Sequence, residues 1–363
     1  MNSKSRKIII ITLVLAFTLI LINNFIVFKS LKDEFASHDD NLKSSKISER
    51  IHINNNWTDA KISGICTGFG THSEPYVIED LVIDGDDSGT CILIENSWAY
   101  FRIENCTLFN SGSGSYKSGI KLISVSNGLI FDNMVNNNDH GIYLNSCNNN
   151  TILGNTANNN YWDGVFLETG YNNTIKGNIV SGHYGSGIGS WYSYNNIIKD
   201  NIVDDNGLGI SLEYSNNNKI TGNTAKVSSS NGLHILGGDY NVIFENDVKE
   251  NYYGIVLEDT AMDNLIYLNN LTDNVLHAID NGISNQWDDG SIGNYWDDYS
   301  GADADDNGIG DTPYSITGTA SSEDRFPIWD DGPNPQLIAI PGYHLFIVLG
   351  ILAVVVILAS RKR

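Results

Sequence analysis

The feature that most constrains this chain is a repeat of 22 or 23 residues, carried by two series in phase. Gly, apolar, any residue, apolar occurs at Gly119-Ile120-Lys121-Leu122, Gly141 to Leu144, Gly164 to Leu167, Gly209 to Leu212, Gly232 to Ile235 and Gly254 to Leu257, with a degenerate copy at Gly187 to Ser190. An asparagine series keeps step with it: Asn133, Asn155, Asn178, Asn201, Asn223, Asn246 and Asn269. Self-similarity at a fixed period marks a solenoid, in which each repeat buries its apolar face only against its neighbours.

Helices are a poor fit to this unit, because a helical solenoid needs amphipathic stretches of about ten residues or more. The repeats offer short alternating segments instead, such as Asn173-Thr174-Ile175-Lys176-Gly177-Asn178, where alternation turns Ile175 inward and its neighbours outward. Three such strands and three bends fill one repeat. The expected fold class is therefore all-β: a right-handed, single-stranded parallel β-helix whose like positions stack about 4.8 Å apart. All 6 prolines lie at or before Pro75 or at or after Pro313, sparing the coils a residue without the N–H that a stacked strand needs.

The repeat also accounts for 47 asparagines. An Asn at a bend tolerates a left-handed backbone, and its amide can bond the amides one coil above and below, so the seven phased asparagines are expected to form a structural ladder. Upstream, Cys91-Ile92-Leu93-Ile94 and Asn105 precede Gly119 and Asn133 by 28 residues each, which marks a further coil with a loop inserted near Ser111 to Ser115. With strands at Tyr76-Val77-Ile78 and Leu81-Val82-Ile83 the count reaches nine or ten coils, roughly 45 Å of solenoid.

Both ends are apolar. Lys4, Arg6 and Lys7 precede a run from Ile8 to Ile22 that Phe25 to Phe28 extends, the pattern of a signal peptide or an uncleaved signal anchor. Leu337 to Ala359 is apolar apart from Pro341, Gly342 and His344, and stops at Arg361-Lys362-Arg363. The positive-inside rule then places both termini in the cytoplasm, if neither is processed, and the main domain outside a cell membrane. The expected layout is 1–32 signal or anchor, 33–59 linker, 60–290 β-helix, 291–330 capping segment with an Asp-rich loop, 331–336 linker, and 337–363 transmembrane helix with a basic tail.

With 21 Lys+Arg against 43 Asp+Glu the formal charge is −22, which argues against nucleic acid as a partner and suits a crowded, hydrated exterior. Hydrophobic residues at 41% exclude a wholly disordered acidic chain. Cys66, Cys91, Cys106 and Cys147 are too few for a disulfide scaffold, although an oxidising exterior would permit one or two bridges.

The run Gly68-Phe69-Gly70-Thr71-His72-Ser73-Glu74-Pro75-Tyr76-Val77-Ile78, the Asn/Gly coils, and the closing Gly293-Asn294-Tyr295-Trp296-Asp297-Asp298-Tyr299 through Gly310-Asp311-Thr312-Pro313-Tyr314 resemble the NosD-like right-handed parallel β-helix proteins over about residues 60 to 330. The resemblance implies the β-helix fold, kinship with carbohydrate-binding proteins and sugar hydrolases, and export. Pro341-Gly342-Tyr343 before the last apolar run is similar to archaeal surface-protein sorting tails, which implies that this run can be processed.

The family name points to copper delivery, but the chain has 3 Met, and His140, His183, His234 and His277 fall at different phases of the repeat, which argues against copper. Asp303, Asp305, Asn307, Gly308 and Asp311 follow a calcium-loop spacing, with Tyr314 where a closing carboxylate is expected; a polar turn capping the solenoid is the alternative. Aromatic residues cluster between 143 and 194, so Tyr143, Trp162, Phe166, Glu168, Trp191 and Tyr192 are the candidates for carbohydrate binding, with Glu168 and Asp163 accepting hydroxyl hydrogen bonds. Glu168 and Glu213 share a phase two coils apart, and with Asp163 they are the candidates for sugar-cleaving chemistry, although no motif isolates them. Binding of cell-surface glycans, or a structural role among envelope proteins, is the favoured function; a polysaccharide hydrolase or lyase and a metal-delivery accessory protein are the alternatives.

Overall fold

The computed structural model describes residues 45–114 and 116–330. Both expected membrane spans lie outside these residues, and among the described residues no helix is long and apolar enough to cross a membrane.

One coil contains three strands, for example Ser186–Trp191, Ile197–Lys199 and Ile202–Asp204. Each pairs in parallel with its counterpart one coil on, which builds a first sheet of 10 strands, a second of 9 and a third of 11. This is a right-handed parallel β-helix of about ten turns, as the period predicts. The registers place like residues over like. Ile142, Val165, Ile188, Ile210, Leu233 and Ile255 form one column of the first sheet. Ile130, Ile152, Ile175, Ile198, Ile220, Ile243 and Ile266 form one in the second. Both columns are buried, together with Val180, Val203, Ala225, Val248 and Leu271 of the third sheet. Burial from all three sides is why short strands with a single inward residue suffice.

Each of the three corners is held by an amide ladder. The predicted one runs Asn133, Asn155, Asn178, Asn201, Asn223, Asn246, Asn269 and ends on Asn294, each Nδ2 donating to the next Oδ1 at 2.9–3.0 Å. A second ladder runs Asn150, Asn173, Asn196, Asn218, Asn241 and Asn264, each five residues ahead of the first, and ends on Asn285. A third begins at Asn138 and Asn160, passes through His183, Asn206 and Ser228, and continues to Asn251 and Asn274. Each Asn satisfies several buried groups at once. Asn201 Nδ2 donates to Ile175 O and Asn223 Oδ1, while its Oδ1 accepts from both the backbone N–H and Nδ2 of Asn178.

Three expectations need correction. The ladder asparagines are not the left-handed residues; positive φ falls on the residue before each, as at Gly154, Gly177, Asp200, Gly222 and Glu245. The turn therefore divides its two tasks, one residue reversing the chain and the next pinning it. The upstream rung is Cys106 and not Asn105, because the N–H that donates to Asn133 Oδ1 belongs to Cys106. The ribbon also starts earlier than residue 60, since Lys46–Ser48 and Ile51–Asn54, within the expected linker, already pair in the third and first sheets.

The solenoid is closed at both ends by tryptophan. The short helix Trp57–Ile62 lays Trp57 against Tyr76 and Phe101, with its indole N–H donating to Ser97 Oγ at 2.7 Å. At the other end Trp287 and Trp296 are buried, and Asp324 accepts from Asn294 N, Trp296 Nε1 and Phe326 N. The closing Gly293-Asn294-Tyr295-Trp296 segment thus supplies the last rung and the plug. The four cysteines are free and buried, so no bridge forms among them.

Replacing Asn201 by Ala orphans Asn178 N–H and removes the side-chain donor to Ile175 C=O, which keeps its strand partner; an orphaned buried group is worth about 1–3 kcal/mol, so urea unfolding should show a loss of roughly 1–3 kcal/mol. Val227 holds φ 55, a region costly for a β-branched side chain. Val227→Asn should raise stability by about 1 kcal/mol in the same measurement.

Candidate functional site

Stacking turns every outward position of the first sheet into a column. One column reads Lys121, Tyr143, Phe166, Gly189, Ser211, His234 and Val256. Two residues on, where each strand closes, a second reads Asn145, Glu168, Trp191, Glu213 and Leu236, with Glu258 next.

The structure does not keep the predicted aromatic residues in one patch. Tyr143 is only 2% exposed, its ring between Tyr116 and Phe166 at 5.1 and 5.9 Å, with Lys121 Nζ 5.0 Å above it. Its hydroxyl donates to Glu168, which also accepts Asn145 Nδ2 at 2.7 Å. Burial, followed by this bond, pushes the Tyr143 phenol well above its ordinary range and keeps it neutral. Burial pulls the Lys121 ammonium down against the opposing carboxylates of Glu168 and Glu95. Nearby His140 is 4% exposed, with Nδ1 3.2 Å from Asp163 Oδ2; the angle is off-line, so that nitrogen carries no hydrogen bond despite the short separation.

The accessible rings stand on two rims. At the corner leading into the first sheet, Tyr161, Trp162 and Tyr184 are 55%, 49% and 80% exposed, and an open groove there is lined by Asn137, Asn159, Gly182 and Asp205. Where the strands end, Trp191 packs on Tyr192, and Tyr192 stacks on Tyr214 at 5.1 Å. Six-residue strands such as Ser186–Trp191 separate the rims by roughly 16 Å. Trp162, Trp191 and Tyr192 are therefore surface groups, while Tyr143 and Phe166 build the floor.

A trio not singled out from the sequence joins the two columns: Ser211 Oγ is hydrogen-bonded to His234 Nδ1 at 3.2 Å, and His234 Nε2 lies 3.5 Å from Glu258 Oε1. The signal was present, since these residues occupy the two outward columns in successive repeats. Ser211 is buried and the strand N–H groups around it are spent on pairing, so no donors converge where an oxyanion would form. The trio braces Glu258.

In the Asp-rich loop, Asp303 accepts from Asn307 N and Gly308 N at 3.1 and 2.7 Å, Asn307 Nδ2 donates to Asp305, and Ala304 N donates to Asp311. Desolvation is the largest single influence and opposes ionisation, but the Gly308 and Asn307 N–H donors together outweigh it and hold the Asp303 carboxyl below its usual range. Among the described residues the one trio of ligand atoms close enough to share an ion is His277, Asp297 and Asp298. His277 Nε2 is 2.7 Å from Asp297 Oδ1, and its Nδ1 faces Asn274 Nδ2 at 3.4 Å. The third ladder fixes that amide as a donor, so Nδ1 accepts, and Nε2 carries the proton donated to Asp297. Burial raises the thiols of Cys91 to about 12 and Cys106 to about 11, which keeps them protonated.

The sequence profile of the family described as periplasmic copper-binding protein (NosD) matches residues 35–162 and 102–301. No curated protein matches the chain. Solved structures of similar form include a point variant of the periplasmic alginate epimerase AlgG, with 19% identity, TM-score 0.48, and 61% of this chain and 54% of that chain covered. Pectate lyase Pel9A has 15% identity, TM-score 0.43, and coverage of 64% and 66%. The A-module of a mannuronan C-5 epimerase from Azotobacter vinelandii has 16% identity, TM-score 0.35, and coverage of 52% and 63%. The chain spans about half the length of the first of these.

His183, like Ser228 a rung of the third ladder that is not Asn, lines the groove. Burial lowers its pKa, partly offset by hydrogen bonds to Asn160 and Ala157. A depressed histidine contributes stability that is present above the unfolded value of about 6.5 and is lost as pH falls through the folded one. His183→Asn should restore an amide rung and flatten that acid loss, which melting curves of both proteins between about pH 7 and pH 5 would register.

Proposed function

The chain belongs to the NosD family, and from that premise we propose that it is a carbohydrate-binding β-helix held at the cell exterior by its apolar ends. The observation that carries this reading is the outer face of the first sheet, where a rim bearing Tyr161, Trp162 and Tyr184 faces, across a floor of Tyr143 and Phe166, a second rim on which Glu168, Trp191 and Glu213 stack in one column beside Tyr192 and Tyr214. Exposed rings offer flat apolar faces to sugars, and partly buried carboxylates accept hydroxyl hydrogens, without any reorganisation of the sheet.

Two carboxylates in one column favour a second reading, a polysaccharide-cleaving enzyme. Glu168 and Glu213 stand two coils apart, about 9.6 Å between backbones, near the upper end of the separation used by inverting glycosidases. Glu168 is tied to Tyr143 and Asn145, which favours binding over catalysis. Asp163 is engaged as well, its Oδ1 accepting Ser186 N–H at 2.7 Å. Metal delivery has less support, given the protonated thiols and scattered histidines.

Purified protein on a glycan array should retain at least one polysaccharide unchanged. Trp162→Ala and Trp191→Ala should each weaken retention about 2- to 10-fold. Protease added to intact cells should digest the region between the apolar ends. Product release that Glu168→Gln abolishes would replace binding with catalysis, and retention of no glycan would remove both readings. The Asp303, Asp305, Asn307 and Asp311 loop is proposed to hold Ca²⁺ by giving up its internal N–H bonds, and a flat calorimetric titration with an unchanged melting temperature would dismiss it.

A further inference from the structure

The column that closes the first-sheet strands reads Glu168, Trp191, Glu213, Leu236 and Glu258, so a carboxylate returns on alternate coils with an apolar side chain between. Two coils at about 4.8 Å each set the carboxylates about 9.6 Å apart along the solenoid axis. All five residues are half-buried. Both bonds to Glu168 land on Oε2, which leaves Oε1 without a hydrogen bond among the described residues. Glu258 is braced by His234. From Val165 to Leu257 no first-sheet strand carries Lys or Arg.

We propose that this column binds an extended polysaccharide lying along the axis, with a two-sugar repeat close to two coils, made of uncharged or amino-bearing sugars and not of uronates. The inference rests on the carbohydrate reading above and deepens it. An extended chain whose successive sugars are flipped alternately presents a polar edge and an apolar face, the same alternation as Glu and Trp or Leu in the column. Three carboxylates about 9.6 Å apart, with Lys121 opposing Glu168 and no lysine or arginine in the first-sheet strands from Val165 to Leu257, leave the column net negative, so it repels a polyanion over a Debye length of about 8 Å and accepts hydroxyl or ammonium hydrogens readily. Because the stack predetermines the spacing, affinity accrues with each repeat spanned.

Titration calorimetry with N-acetylglucosamine, glucosamine and galacturonate oligomers of about two to six sugars tests this on the purified protein. Affinity for at least one of the first two series should rise about tenfold or more from the disaccharide to the hexasaccharide, and Glu213→Gln should flatten the rise. Galacturonate oligomers should bind more weakly at every length and gain with added salt. Binding that ignores length, or galacturonate binding as tight as the other series, overturns the axial column while leaving carbohydrate binding in place. If these oligomers and every glycan on the array fail to bind, the carbohydrate reading falls and the column with it.

Discussion

The hydrogen bond from one asparagine amide to the amide directly below it is the interaction on which the rest of this molecule depends. A β-helix must turn its chain three times per coil inside a stack where no water can satisfy the turning backbone, and each exposed turn would cost several buried donors and acceptors. Asn meets that need because one side chain both donates and accepts, in register with a neighbour of the same kind. Where another residue replaces it, the bond count falls. His183 still reaches its neighbours, but Ser228 Oγ is left without a partner. Three ladders, one per corner, convert a repeating sequence into a rigid rod with one register.

Rigidity has a consequence for the surface. Because each coil sits directly over the last, an outward residue is defined by its column as much as by its place in the chain. Neighbours in space are residues 22 or 23 apart, as with Ser211 and His234. The same geometry sets spacings no flexible loop could hold, such as the alternate-coil carboxylates. It also explains why Tyr143 is lost as a surface ring: the loop inserted before Ser118 brings Tyr116 over it.

The ends show the complementary problem. A stack of identical coils would present open strand edges and an exposed apolar bore to any neighbour. Trp57 at one end and Trp287 with Trp296 at the other fill that bore, while Asp324 accepts the last free N–H groups of the closing coil. This gives the closing segment around Asn294 and Trp296 its physical meaning: it must both complete a ladder and plug the core.

The fold was legible in the chain because a period of 22 or 23 residues leaves a stack of short strands as its simplest solution, and the first ladder was legible for the same reason. The second ladder was equally written, five residues ahead of the first, but its asparagines sit among other asparagines, so Asn172 and Asn173 look alike until φ separates them. The third was broken by His183 and Ser228. Which rings reach solvent could not be read, since burial depends on what packs over a column from outside it: Tyr116 covers Tyr143, while among the described residues Tyr184 stays 80% exposed. The sequence by itself determined the coil and its inward residues, because those follow from local alternation and period. Only the tertiary structure decided the surface, because there the neighbours come from other coils and from an inserted loop that obeys no period.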